Sequence, residues 1–298
     1  MSGQFETIQP GELARIRRDL LREQRALAVR RFFSSRQAVF GALIVLLLLI
    51  TAVFAPLLAP ADPLATQAAD RFARPGSTYL LGADKLGRDV LSRIIYGARV
   101  SMIVGISVAA SSMVLGMIIG LYACWYKRLG SVLMRICDGL SAIPSTLLAI
   151  ALMAMLGSSL SNVIIALSIV YIPRMARVSR SAALVVMEQT YIEALRSQGA
   201  SAFRIIWGHI APNVFSPVVV QASYNFANSI ITEAALSFLG VGIPAPQPSW
   251  GNILSEGREV ITKAWWMVVY PGIVTALAVM GTNIFGDGLR DILDPHSN

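Results

Sequence analysis

Apolar residues along the chain gather into long uncharged runs at 37–61, 100–126, 139–173, 210–232 and 264–286. A helix that crosses a bilayer needs about 20 consecutive, mainly apolar residues. The run at 139–173 would measure ~50 Å as a single helix, too long for one crossing. The polar stretch GSSLSN at 157–162 interrupts it, so it belongs to two spans. The pattern therefore predicts six spans, at about 37–58, 99–124, 132–156, 161–180, 213–233 and 265–286. Pro56, Pro60 and Pro63 close the first. The polar stretch at 60–97 shows no periodicity strong enough to assign an element. The Pro/Gly-rich segment GVGIPAPQPSWGN at 240–252 cannot be a straight helix.

Ahead of the first span, residues 12–33 place Leu13, Ile16, Leu20 and Leu27 on one helical stripe with arginines opposite. Two readings stand: a helix lying in the headgroup layer, or a solvated tail. The chain divides into a tail (1–36), a first span with its loop (37–98), a five-helix core (99–290) and a short tail (291–298). The first apolar run starts too far from the N-terminus for a cleavable secretory signal, which predicts an uncleaved anchor.

Composition agrees with the pattern. The chain is 55% hydrophobic and 14% charged, where soluble domains carry about 25% charge. Its net charge of +8 reads as loop bias and not as nucleic-acid binding, because no basic soluble domain is long enough to hold such a fold. With the N-terminus inside, the cytoplasmic segments hold 17 Lys and Arg and the outer segments 8, so both termini are predicted to be cytoplasmic. Cys124 and Cys137 read as free thiols, and no metal or redox spacing is present.

One segment departs from the apolar pattern. EALRSQGASAFRIIWGHIAPN (193–213) falls between the fourth and fifth spans, on the predicted cytoplasmic side. Thr190 is placed to cap a first helix, and Gly199 to end it in the left-handed conformation. Ser201 is placed to cap a second, short helix by accepting from Phe203 or Arg204 N–H, and Pro212 opens the fifth span. Phe203 is an apolar knob, with Glu193, Arg196, Ser201 and Arg204 around it. This composition suits a small docking surface with a charged rim. The other reading is a helical loop that packs on its own bundle.

Polar residues within spans are costly and point to function or to interhelical bonding. Asn225, Asn228 and Glu233 share the fifth span and Asn283 lies in the sixth. They line a translocation path or hold the bundle, and Glu233 sits either within the span or at its outer rim. Trp265, Trp266 and Tyr270 read as an interfacial aromatic belt. In the first outer loop, Asp84, Arg88, Asp89 and Arg93 form a candidate ionic cluster that either meets an outer partner or holds the loop. The 240–252 loop is rigid enough to gate the outer mouth or to serve as scaffold.

Glu193, Ala194, Gly199 and Pro212 resemble, in register, the EAA loop (here about 188–212) of ABC importer permeases. Leu195 stands where the family has a second Ala. LGADKLGRDVLSRIIYGARVSM (81–102) is very similar to the corresponding stretch of dipeptide and oligopeptide permeases. DGLSAIPSTLLAIAL (138–152), EAALSFLGVGIPAPQPSWGNIL (233–254) and GDGLRDILDP (286–295) look like the same branch. The single span before LGRDVLSR resembles the C-type subunit of such pairs.

The resemblance implies an all-α, polytopic protein with six transmembrane helices of the type I ABC importer permease fold, in a bacterial inner membrane. It implies a heterodimer with a second homologous permease, two ATP-binding cassette ATPases that carry ATP and Mg, and an extracytoplasmic solute-binding protein. It assigns ATPase coupling to Glu193, Ala194, Arg196, Gly199, Ala200, Ser201, Phe203, Arg204 and Pro212. The chain itself is expected to bind no cofactor, no metal and no nucleic acid, and to have no catalytic residue. Its three lysines precede Leu, Arg and Ala, so no GK[ST] phosphate loop exists in it. Peptides are the implied cargo, with glutathione-like compounds, opines and nickel on the same scaffold as alternatives. An ion-coupled secondary transporter is a further rival, and it would need inverted repeats and midplane acids.

Overall fold

The computed structural model describes residues 30–293. The amphipathic stretch at 12–33 therefore lies largely outside the described residues. Among the described residues the secondary structure is helical, apart from one isolated bridge between Ala83 and Asp89. The chain forms α1 (Arg36–Val53), the short α2 (Ala55–Leu58), and then α3 (Val90–Trp125) after the outer loop. Next come α4 (Lys127–Ala142), α5 (Ser145–Leu156) and α6 (Leu160–Met187). The hairpin holds α7 (Thr190–Ser197) and α8 (Ala202–Ile205), followed by a wider π turn at Ile206–Ile210. The chain ends in α9 (Ala211–Phe238), α10 (Trp250–Arg258) and α11 (Trp266–Leu293).

All six predicted spans are helical, with three corrections. The third is not one rod: α4 and α5 meet at a break of 95°. Pro144 supplies the break, because its ring excludes the preceding residue from helical geometry and it lacks an N–H. Four helices among the described residues are long and apolar enough to cross a membrane by themselves, and the bent pair brings the number to five. Helix α9 has the length but not the apolarity. It buries Gln221, Asn225, Ser229, Thr232 and Glu233 inside the bundle. The second span is the other correction. It begins at Val90, well before the predicted residue 99, because the Asp89 carboxylate caps it by accepting from Ser92 N at 2.7 Å and Ser92 Oγ at 2.6 Å.

Small residues let the helices approach closely. Gly116 and Gly120 lie four apart on α3 and face α6. A Cβ on Gly120 would lie 2.6 Å from the Ala176 carbonyl oxygen, and one on Gly116 2.5 Å from Met175 Cβ. This is the GxxxG mode of packing, which acts through van der Waals contact where lipid offers no hydrophobic drive. Helices α1 and α11 meet the same way, with Gly288 against Ala38 and Gly41 against Phe285.

Replacing Gly120 by Leu is expected to force α3 and α6 apart and to destabilise the bundle by about 1–3 kcal/mol, read as a lower Tm in detergent. Gly139 on α4 has open space around its Cβ position, so Gly139→Leu is the matched substitution that leaves Tm unchanged.

Candidate functional site

The hairpin at 190–212 has two faces. Ile192, Ile205, Ile206 and Ile210 are buried and pack against Leu121 and Cys124 of α3, Met175 and Ala183 of α6, and Val214 of α9. On the other face Glu193, Ala194, Arg196, Gly199, Ser201, Arg204 and Pro212 are exposed. Phe203 is 68% exposed, although an isolated phenylalanine gains by burial. Ala200 is half-buried. The hairpin thus packs on its own bundle and also presents an apolar knob with a charged rim.

Its backbone is fixed by two motifs. Gly199 has φ +79°, its N–H donates to the Arg196 carbonyl at 3.0 Å, and Ala200 N–H donates to the Leu195 carbonyl at 3.1 Å. This pair of bonds is the Schellman ending, and Leu195 and Ala200 supply its apolar contact. Ser201 Oγ accepts from Arg204 N–H at 3.4 Å and so starts α8. Thr190 does not cap α7. It is the first helical residue, and Gln189 precedes it without a side-chain cap bond. Helix α8 then runs through the π turn into α9, where Ala211 N–H reaches the Ile206 carbonyl. The wider turn suits Pro212, whose ring would crowd a carbonyl four residues back in a regular helix. Arg196 stacks 4.4 Å over the Trp125 ring at the end of α3 and braces the hairpin from outside the apolar seam.

At the opposite end of α3, the sequence-predicted ionic cluster is buried and built inward. Asp84 is fully buried, and Arg88, Asp89 and Arg93 nearly so. Asp84 Oδ2 accepts from Arg88 Nε at 2.6 Å and Arg93 Nη1 at 2.5 Å, while Oδ1 accepts from the N–H groups of Leu86 and Arg88. Glu256 of α10 completes it, accepting from Arg88 Nη2 at 2.8 Å and Arg93 Nη1 at 2.7 Å. Asp89 stands outside the network as the α3 cap. Asp84, Arg88 and Arg93 are buried, and with Glu256 they are bonded to one another within the chain. Glu256 was not among the residues singled out from the sequence, because it lies far from Asp84 along the chain. In sequence Asp84 and Asp89 balance Arg88 and Arg93; only the fold shows that Asp89 caps α3 and leaves a cation for Glu256.

The predicted path residues separate. Asn225 is fully buried; it donates to Ser112 Oγ at 3.0 Å and accepts from Gln221 Nε2 at 2.9 Å. Glu233 is also fully buried, inside the bundle near the end of α9. It accepts from Ser237 Oγ at 2.8 Å and Ser101 Oγ at 3.4 Å. Both are bonded inside one chain. Asn228 and Asn283 are half-buried and keep a partly open face. One of the three predicted interfacial aromatics is internal. Trp266 is buried with Nε1 donating to the Ala83 carbonyl, which leaves Trp265 and the half-buried Tyr270 at the surface. Trp250 is buried against Gly97 and donates to the Ile94 carbonyl at 3.0 Å, so the 240–252 loop is pinned by its last residues.

Long apolar helices, a polar seam inside α9 and an exposed helical hairpin at one end describe a polytopic transport protein. The chain belongs to the family of binding-protein-dependent transport system inner membrane components, whose model matches residues 112–298. A second model, the N-terminal TM domain of oligopeptide transport permease C, matches residues 24–75. A Brucella suis permease protein assigned to a peptide transport system is 46% identical over 269 residues, covering 90% of this chain and 91% of its own length. The di/tripeptide transport system permease protein DppC of Pseudomonas aeruginosa is 41% identical over 272 residues, 89% of each chain. A glutathione transport system permease protein of Pectobacterium atrosepticum is 43% identical over 268 residues, again 89% of each. As a member of this family the chain is the membrane permease of an ABC importer and not its ATPase.

Two substitutions test the two ends. Asp84→Ala leaves Arg88 and Arg93 buried with one shared acid, and is expected to destabilise the protein by about 3–5 kcal/mol in thermal melts. Gly199→Val meets no neighbouring atom within 4 Å, so only the left-handed backbone opposes it. Limited proteolysis is expected to cut the valine variant in the hairpin and to spare Gly199→Asn, because Asn tolerates that conformation.

Proposed function

We propose that this chain is one of two homologous permeases of an ATP-driven peptide importer, and that the 190–212 hairpin docks it to the ATPase subunits. The observation that carries the reading is the two-faced hairpin. Its isoleucine side is seated on three long helices, while Phe203 projects outward inside a rim of Glu193, Arg196, Ser201 and Arg204. An element fixed at its base and apolar at its tip suits transmission of a push between chains. Glu193, Ala194, Gly199 and Pro212 keep the register of the EAA loop, and the peptide-transport names of the relatives favour peptides as cargo. The glutathione relative keeps a small peptide-like thiol as the second reading.

In this reading both termini and the hairpin are cytoplasmic. Two cassette ATPases bind ATP and Mg, and a solute-binding protein delivers cargo on the other side. Two of the six basic residues in the 71–99 segment, the exception to the charge rule, are Arg88 and Arg93, which Asp84 and Glu256 neutralise. The charge rule counts Lys and Arg whatever their acidic partners, so this segment stays its exception. The half-buried Asn228 and Asn283 are the polar span residues best placed to face cargo, while Asn225 and Glu233 hold the bundle that supports them.

Co-purification tests the docking assignment. Phe203→Ala is expected to lower ATPase-subunit recovery with the tagged permease several-fold, as loss of an interface anchor of about 2 kcal/mol or more does. Glu193→Lys and Arg204→Glu are expected to weaken it less, at the rim. Full recovery in all three variants, at normal expression, removes the hairpin from the interface.

A further inference from the structure

The break between α4 and α5 opens a cavity of about 380 Å³, lined by Ser141, Pro144, Ser145, Tyr171, Arg174 and Arg177 among others. That volume lies in the range of small-molecule sites. Arg174 sits in the middle of α6, and among the described residues it has no hydrogen-bond or ion-pair partner. It is the first charged residue after the uncharged run that ends at 173, it is exposed, and it lines this cavity. Arg177, one turn on, donates to Ser141 Oγ and lies 3.9 Å from Asp138 across a largely exposed gap. With two cations and one acid, the cavity keeps one unmatched positive charge. The Tyr171 hydroxyl is engaged elsewhere, with Thr232 Oγ1 at 2.8 Å, so the ring forms a wall. The first turn of α5 begins at Ser145 without a side-chain cap, and its free N–H groups add positive potential at the same break.

We propose that this cavity is an anion subsite, in which Arg174 receives a single carboxylate or phosphate-type group. Resting on the peptide-import reading, one source of that group is the C-terminal carboxylate of a passing peptide. A phospholipid headgroup is the other. Arg174 is the receiving cation, Ser141 and Ser145 supply hydroxyls, and Asp138 holds Arg177 back as a competing acid. Because Arg174 is exposed, its replacement does not disturb the packed core.

The test uses the membrane complex of both permeases and the ATPases in nanodiscs, without the binding protein. In neutral phosphatidylcholine discs, dialanine is expected to raise Tm while dialanine amide does not. Arg174→Gln is expected to weaken the dialanine response about tenfold or more, as loss of a charge-assisted bond does. Arg174→Lys is expected to keep part of it, and Asp138→Asn to strengthen it by releasing Arg177. In discs containing phosphatidylglycerol, native mass spectrometry counts retained lipid. Loss of one phosphatidylglycerol in Arg174→Gln, with no dialanine response in any variant, supports the subsite with lipid as its source. Unchanged dialanine response and unchanged lipid count in Arg174→Gln overturn the subsite. A wild-type complex that imports no peptide yet shows the Arg174-dependent effect sinks the peptide reading alone.

Discussion

The isoleucine seam beneath the hairpin is the contact on which the rest depends. Ile192, Ile205, Ile206 and Ile210 join α7, α8 and the π turn to α3, α6 and α9 in one buried cluster. β-Branched side chains have few rotamers to lose, so such a seam is stiff as well as apolar. Without it the Schellman turn at Gly199 would fix the shape of the hairpin but not its position. With it, a load on Phe203 reaches three long helices through packed atoms.

The two ends of the molecule solve opposite problems. At the hairpin end, apolar contact holds the element in place and its polar groups face outward. At the far end, polar groups turn inward: Asp84, Arg88, Arg93 and Glu256 close on one another, and the Trp250 and Trp266 ring N–H groups bind main-chain carbonyls. Breaking a buried ion network strands charges, while forming it gains little over apolar packing. Its contribution is therefore to conformational uniqueness, fixing how α10 sits against the start of α3. Between the ends, backbone-close contacts at Gly116 and Gly120 do what side-chain burial does in water-soluble bundles.

Much of this was legible in the residues. Uncharged runs of the right length located every long helix, because lipid demands them. Gly199 and Ser201 were readable because a left-handed turn and a cap each require particular chemistry. The 95° break was not readable as a right angle. Pro144 announces an interruption, but the angle is set by how α4 packs against α3 and α6. Glu233 and Asn225 were open to two readings, path or bundle, because hydropathy reports depth and not direction. Only the fold shows that Ser101, Ser112, Gln221 and Ser237 already satisfy them. Trp266 misled for a related reason. An indole at the end of a span reads as an interfacial anchor, and its partner, the Ala83 carbonyl, lies far away in sequence.

Helix α3 ties these observations together. It is capped by Asp89 beside the ionic network and ends at Trp125 beneath the Arg196 guanidinium. Its 36 residues contain no proline and make a rod of about 54 Å, well beyond the ~30 Å of a bilayer core. An unjointed shaft of that length resists flexing, so tilting its foot by a few degrees sweeps its head through several ångströms. Torque applied at one face of the membrane is thereby felt at the other within a single element, with no relay of intermediate parts.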